Sequence, residues 1–129
     1  MAGSITLADG GADGVATLTL AHPGKLNAID IAMWRELHAL ATHLQSLPPE
    51  HAPRALIVRG EGGQFASGGD IAEFAGFRFD EEKLRDFHEN VVAPALHALL
   101  DCDIPLIAQI EGNCIGGGLE IAACCDLRV

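Results

Sequence analysis

Short β-type runs alternate with helical apolar stripes along nearly the whole chain, and this alternation admits few architectures. Ile5 to Leu7 and Val15 to Leu20 interleave Thr with aliphatic residues around the turn-rich segment Asp9 to Gly14, which is a hairpin signal. His22-Pro23-Gly24-Lys25 breaks the strand pattern. Asp30 then stands where it can cap a helix whose apolar members Ile31, Trp34, Leu37, Ala41 and Leu44 recur at helical spacing, ending before Pro48-Pro49. Ala55 to Val58 fits a buried strand, Arg59 to Gln64 reads as a glycine-rich loop, and Asp70 can cap a short segment from Ile71 to Phe74. A long helix is predicted over Asp80 to Leu100, with Leu84, Phe87, Val91, Ala95 and Leu99 on one stripe and Pro94 forcing a kink or a break. Pro105 to Ile110 reads as the next buried strand, a helix starts near Gly117, and Leu127 to Val129 begin another strand. This order predicts an α/β fold, short strands covered by helices, in one unit without an internal linker.

At 129 residues the chain is about one domain, long enough to bury a core. Its net charge of −10 argues against nonspecific binding to nucleic acid or membrane, which needs clustered Lys and Arg. Any anionic ligand has to be captured by local groups against the overall field. Cys102, Cys114, Cys124 and Cys125 form no CxxC pair, and the six histidines form no HExxH pattern, so no metal is expected. No N-terminal basic and apolar signal and no membrane-length apolar run is present, and a cytoplasmic location is the default expectation.

Two glycine loops carry the chemistry. Gly68-Gly69-Asp70 and Gly116-Gly117-Gly118 each follow a predicted buried strand and each precede a helical turn. Glycine lets backbone N–H groups approach a ligand without Cβ interference, and a helix start adds unsatisfied donors. Two such amides from separate loops, aimed at one oxygen, make an oxyanion hole. Glu120 lies three residues after Gly117, on the same helix face, where it is a candidate base. The plainer alternative stays open: the glycines mark close packing, and Glu120 serves only the helix terminus. Ser67 lacks a G-x-S-x-G elbow and reads as a turn residue, while neither a dinucleotide nor a nucleoside-triphosphate glycine pattern is met.

With both loops considered together, the chain resembles the crotonase superfamily of enoyl-CoA hydratases and isomerases. The resemblance is carried by Lys25-Leu26-Asn27-Ala28-Ile29, by Phe65-Ala66-Ser67-Gly68-Gly69-Asp70-Ile71, and by Glu111 to Glu120 followed by Ala122-Ala123-Cys124-Cys125-Asp126. It implies a spiral of ββα units that takes an acyl-CoA thioester, with coenzyme A as part of the substrate and no separate cofactor. It also implies that the Gly69 and Gly117 amides hold the thioester oxygen and that Glu120 handles the attacking water. Lys25, Leu26, Asp70 and Ile71 would join Gly69 and Gly117 in binding the substrate, with the loop Gly24-Lys25-Leu26 against the CoA adenine. The family's oligomers, trimers or hexamers, imply a homo-oligomer here.

The departures matter as well. Ala72 stands where some hydratases place a lysine, and the second glutamate of the hydratases, like the closing helices of the fold, falls beyond Val129 in the family sequence. The expectation is therefore an N-terminal crotonase-like portion, truncated before the C-terminal helices, that is feebly active or inactive in hydration of 2-enoyl-CoA. The competing expectation is a non-catalytic acyl-CoA-binding or assembly module.

Overall fold

The computed structural model describes residues 2–129. A hairpin of β1 (Ser4–Ala8) and β2 (Val15–Ala21) opens the chain, with Ile5 paired to Leu20 and Leu7 to Leu18. The chain crosses through α1 (Ile31–Ser46) to β3 (Ala55–Gly60), parallel to β2, and then through five short helical pieces to β4 (Leu106–Gln109), parallel to β3. After α5 (Gly117–Cys124) it adds β5 (Leu127–Arg128), parallel to β4. The result is one five-stranded sheet in sequential order β1-β2-β3-β4-β5.

Strand alternation decides which face is covered. Ala16, Leu18 and Leu20 of β2 are buried and lie in register with Leu56, Val58 and Gly60 of β3, and then with Leu106 and Ala108 of β4. One face is thereby wholly apolar. Thr17, Thr19, Ile57, Arg59 and Ile107 form the other face and stay partly exposed. Against the apolar face pack Met33, Trp34, Leu37, Ala41 and Leu44 of α1 with Leu99 and Ile121 from the later helices, all in one core cluster. Fully burying one such side chain is worth about 1.5–3 kcal/mol, so this layer outweighs any single polar contact described below.

The expected long helix is resolved into pieces. It forms α3 (Glu81–Phe87), a π-helical turn over His88–Val92, and α4 (Ala93–Leu100). Proline has no N–H and crowds the carbonyl four residues back, and the wide π turn just before Pro94 absorbs that misfit without a sharp break. Val91, Ala95 and Leu99 are buried as their spacing predicts, whereas Leu84 and Phe87 are only partly covered. The predicted loop at 59–64 is also shorter than expected: β3 continues to Gly60, and Glu61–Gly63 close a 3-10 turn. Among the described residues no helix is long and apolar enough to cross a membrane.

Candidate active site

Three segments meet at one end of α1: the loop from His22 to Asp30, the loop from Phe65 to α2 (Ile71–Phe74), and the start of α5. Among the described residues the buried polar or charged ones, His22, Asn27, Asp30 and Asp70, all belong to this region. Buried polar groups are costly unless satisfied, so their collection in one place marks where the chain accepts cost for geometry.

The first loop holds an unusual backbone. Leu26 and Asn27 are consecutive non-glycine residues in the left-handed region, with φ of 51° and 59°. Such residues cost on the order of 1–3 kcal/mol each and persist only where the surroundings impose them. The Asn27 amide imposes it: Nδ2 donates to the carbonyls of Glu61 and Gln64 at 2.8 Å each, and Oδ1 accepts from the His22 amide at 3.1 Å. His22 Nδ1 donates to the Ala28 carbonyl at 2.6 Å, closing the loop from beneath. Leu26 is left half exposed at the rim.

The second loop is threaded between two partners. Ile29 N donates to Gly68 O at 2.8 Å and Asp70 N donates to Ile29 O at 2.9 Å. Alternate peptide groups of an extended segment point to opposite sides, so the Gly69 N–H between them faces away from Ile29. Gly68 needs to be glycine because its φ is 110°. Ser67 has the turn role expected of it, its hydroxyl donating to Lys25 O at 3.0 Å and its amide to Leu26 O at 3.1 Å. Asp70 caps α2 through Ala72 N at 3.1 Å.

The glycine triplet divides its work among three positions. Gly116 has φ 53° and ψ −119°, outside the helix, and sits against Gly68, whose Cα would be 3.6 Å from a Cβ added there. A Cβ on Gly117 would lie 2.8 Å from Trp34 Cζ2, and one on Gly118 would lie 2.8 Å from the Ala66 carbonyl oxygen. Ala66 and Cys114 pair as a parallel bridge, and Ile115 N donates to Ala66 O at 3.1 Å. The two glycine loops are therefore in direct contact. Among the described residues neither the Gly69 amide nor the Gly117 amide has an acceptor. Glu120 follows one turn later on α5; its side chain is exposed and its carboxylate accepts no hydrogen bond among these residues.

Charge in the site is more balanced than the sequence suggested. Lys25 is not a free cation: its Nζ donates to both Asp70 oxygens, at 3.0 and 3.1 Å. Burial alone pushes the Asp70 carboxyl up, but the Lys25 ammonium and the Ala72 amide outweigh it and hold the group below the ordinary carboxylate value. Glu73 behaves oppositely. Burial, with the charges of Asp30 and Asp70, lifts its carboxyl although Ile31 N donates to it at 2.7 Å. His22, Asp30 and Asp70 bring potential ligand atoms within 4.8 Å of one another. Asp30 already accepts from Gly3 N and Met33 N, Asp70 from Lys25, and His22 Nδ1 is bonded to Ala28, so this trio is a hydrogen-bonded underlayer of the loops.

A cleft of about 290 Å³ opens beside Lys25, Ser67, Gly69, Asp70 and Ile71. Four of the residues singled out from sequence thus share one cleft, with Ile71 presenting an exposed apolar side chain at its edge. Leu26, Gly117 and Glu120 lie outside its lining.

The sequence profile of the enoyl-CoA hydratase/isomerase family matches residues 10–129. The chain belongs to that family. It is 30% identical over 122 residues to the mitochondrial Delta(3,5)-Delta(2,4)-dienoyl-CoA isomerase of Mus musculus, covering 88% of this chain and 36% of the mouse protein. It is 32% identical over 119 residues to the fatty acid oxidation complex subunit alpha of Shewanella frigidimarina, covering 91% of this chain and 16% of that one. The crystal structure of an enoyl-CoA hydratase/carnithine racemase from Magnetospirillum magneticum superposes with a TM-score of 0.87 at 38% identity, over 96% of this chain and 45% of that chain. The chain thus spans less than half the length of these family members, and the crotonase-like α/β architecture expected from sequence is the one observed. Within this family region, sequence reading overlooked Asn27, Asp30 and Glu73 as builders of the site. Asp30 was legible only as a cap, and the other two act through partners more than thirty residues away.

Proposed function

We propose that the two contacting glycine loops form the thioester-oxygen site of an acyl-CoA-handling protein, with the Gly69 and Gly117 amides as donors. The observation that carries this reading is that both amides lack an acceptor among the described residues while the loops bearing them touch. Removing or adding a proton beside a thioester carbonyl is slow because the enolate is high in energy, and a single preorganised donor in comparable sites is worth about 2.7–4 kcal/mol. Leu26 and Ile71 offer apolar contact at the rim, and the paired Lys25 and Asp70 stand beside the cleft. Glu120 is the acid/base group, and hydration of a 2-enoyl-CoA or a related enolate step is the reaction class.

Binding is tested by calorimetry with crotonyl-CoA, and the oxyanion contact by infrared difference spectra of its 13C-labelled thioester carbonyl. A shift of the carbonyl stretch to lower frequency on binding is the expected result. Binding with an unshifted band, or no binding, overturns the reading.

One observation favours a second reading, a module that binds acyl-CoA without turning it over. Glu120 is exposed and its carboxylate accepts no hydrogen bond among the described residues, so none of them holds it in place for proton transfer. Hydratase turnover by the purified chain that falls about 10²–10⁴-fold in Glu120→Gln supports the catalytic reading, and a carbonyl shift without turnover supports the module. Ile115 and Leu119 near α5 and Leu127 and Val129 at the sheet edge are exposed apolar residues, and we include self-association in the proposal. A monomer in light scattering at micromolar concentration would remove that part.

A further inference from the structure

We propose that Asp70 and Lys25 act as a clasp that aims the Gly69 amide, so that Asp70 is a positioning residue and not a ligand contact. The inference rests on the reading of Gly69 as an oxyanion donor but is observable without any ligand. Asp70 is the residue directly after Gly69, and all its polar atoms are directed into the protein: its amide to Ile29 O, one carboxylate oxygen to Ala72 N, and both oxygens to Lys25 Nζ. Lys25 belongs to the strained loop, 45 residues away in sequence, whose carbonyls at Lys25 and Leu26 also receive the Ser67 hydroxyl and amide. The peptide carrying the Gly69 N–H is thus framed by Ser67 on one side and Asp70 on the other, both fastened to the same loop.

Glycine makes such a frame necessary. Two successive glycines, Gly68 at φ 110° and Gly69 with no side chain to lock it, have the widest backbone freedom of any pair. Donors contribute to charge stabilisation only when they are held within roughly 0.5 Å of the productive geometry. The Gly117 amide has a different support, since it starts α5 with its Cα pressed against Trp34. Without the clasp, the Gly117 donor keeps its whole support, whereas the Gly69 donor keeps only the bridge to Ile29 and gains freedom. The ion pair also explains how an acidic chain keeps a carboxylate next to a site intended for a developing anion: Lys25 neutralises it on the spot.

The test is 15N relaxation of the ligand-free chain, comparing wild type with Lys25→Met, Asp70→Asn and the double variant. Lys25 is exposed, so Lys25→Met keeps the fold, and Asp70→Asn retains an oxygen to cap α2. The Gly69 amide is expected to have an order parameter of about 0.85 in wild type and a clearly lower one in each single variant, with Gly117 unchanged. The double variant should match the singles, because one interaction is being removed from either end. Lys25→Arg, which keeps the cation, should restore the wild-type value. A Gly69 order parameter that stays near wild type in Lys25→Met, or equal losses at Gly69 and Gly117, overturns the clasp. The thioester carbonyl shift is then measured on the same samples. If wild type binds no acyl-CoA, the functional reading fails while the relaxation data still decide the clasp.

Discussion

Gly118→Ala separates local helix preference from tertiary packing at the point where the two loops touch. Gly118 is the second residue of α5 and has no positive φ, so replacement by Ala is locally favourable by at most about 1 kcal/mol. The new Cβ would meet Ala66 Cβ and the Ala66 carbonyl oxygen at 2.8 Å each. Neither obstacle is the end of a flexible side chain. Restoring a separation of 3.4 Å requires about 0.6 Å of movement between α5 and the second loop. Overpacking costs about 1–3 kcal/mol, and rigid obstacles on both sides place this case in the upper part of that range, so a net loss of about 1–2 kcal/mol remains after the propensity gain. The same displacement separates the Gly117 amide from the Gly69 amide. Since a 1 Å misplacement costs about 10²-fold, a shift of this size should weaken the thioester-oxygen contact about tenfold. Urea denaturation reads the first effect and the thioester carbonyl band the second. Gly11→Ala is the control, because a Cβ there meets nothing within 4 Å, and it should stay within about 0.5 kcal/mol of wild type. A Gly118→Ala protein as stable as wild type, with the carbonyl band unmoved, would refute the packing reasoning.

Asp30→Ala removes the α1 cap, worth about 0.5–2 kcal/mol, and leaves the Gly3 amide without its acceptor at a further cost of about 1 kcal/mol. With a urea m-value of about 1–3 kcal/mol/M, the midpoint should fall by on the order of 1 M, and an unchanged midpoint would contradict the buried-cap account. Asp70 and Glu73 predict opposite pH responses. The folded Asp70 carboxyl is depressed, so its contribution is present above about pH 4 and lost as pH falls through the lowered value. Glu73 is raised, so its contribution is present below about pH 4.3 and lost as pH rises through the raised value. Denaturation midpoints across pH 2–7 should show Asp70→Asn flattening the acid limb and Glu73→Gln removing the loss on the other side; the reverse pattern would reject both assignments. Burial pushes the Cys125 thiol up to about 12, so at pH 8 it should react with a disulfide reagent only after denaturation, and its labelling in the native chain would place it elsewhere.

Much of the fold was legible because its signals are short-ranged. The alternation in β2, the apolar run of β3, the stripe of α1 and the caps at Asp30 and Asp70 each depend on neighbours within a few residues, and these elements appear where the pattern put them, although β3 is covered on one face only. Pro94 announced a disturbance but not its form, since whether a chain breaks, kinks or widens into a π turn depends on what packs against it. Lys25 was legible as a charge and illegible as a paired one, and Glu73 gave no signal that it would hold the first amide of α1.

The order of elements, the buried side of the hairpin strands, the helix starts and the presence of two glycine loops were determined by the sequence itself. These follow from periodicity and from backbone freedom, which are properties of adjacent residues. Tertiary structure alone decided that the loops touch, that Gly116, Gly117 and Gly118 face a backbone, a tryptophan and an alanine respectively, and that Asp70 neutralises Lys25. Steric contact and ion pairing fall off within a few ångströms, and only packing of the whole layer brings residues separated by dozens of positions to such distances.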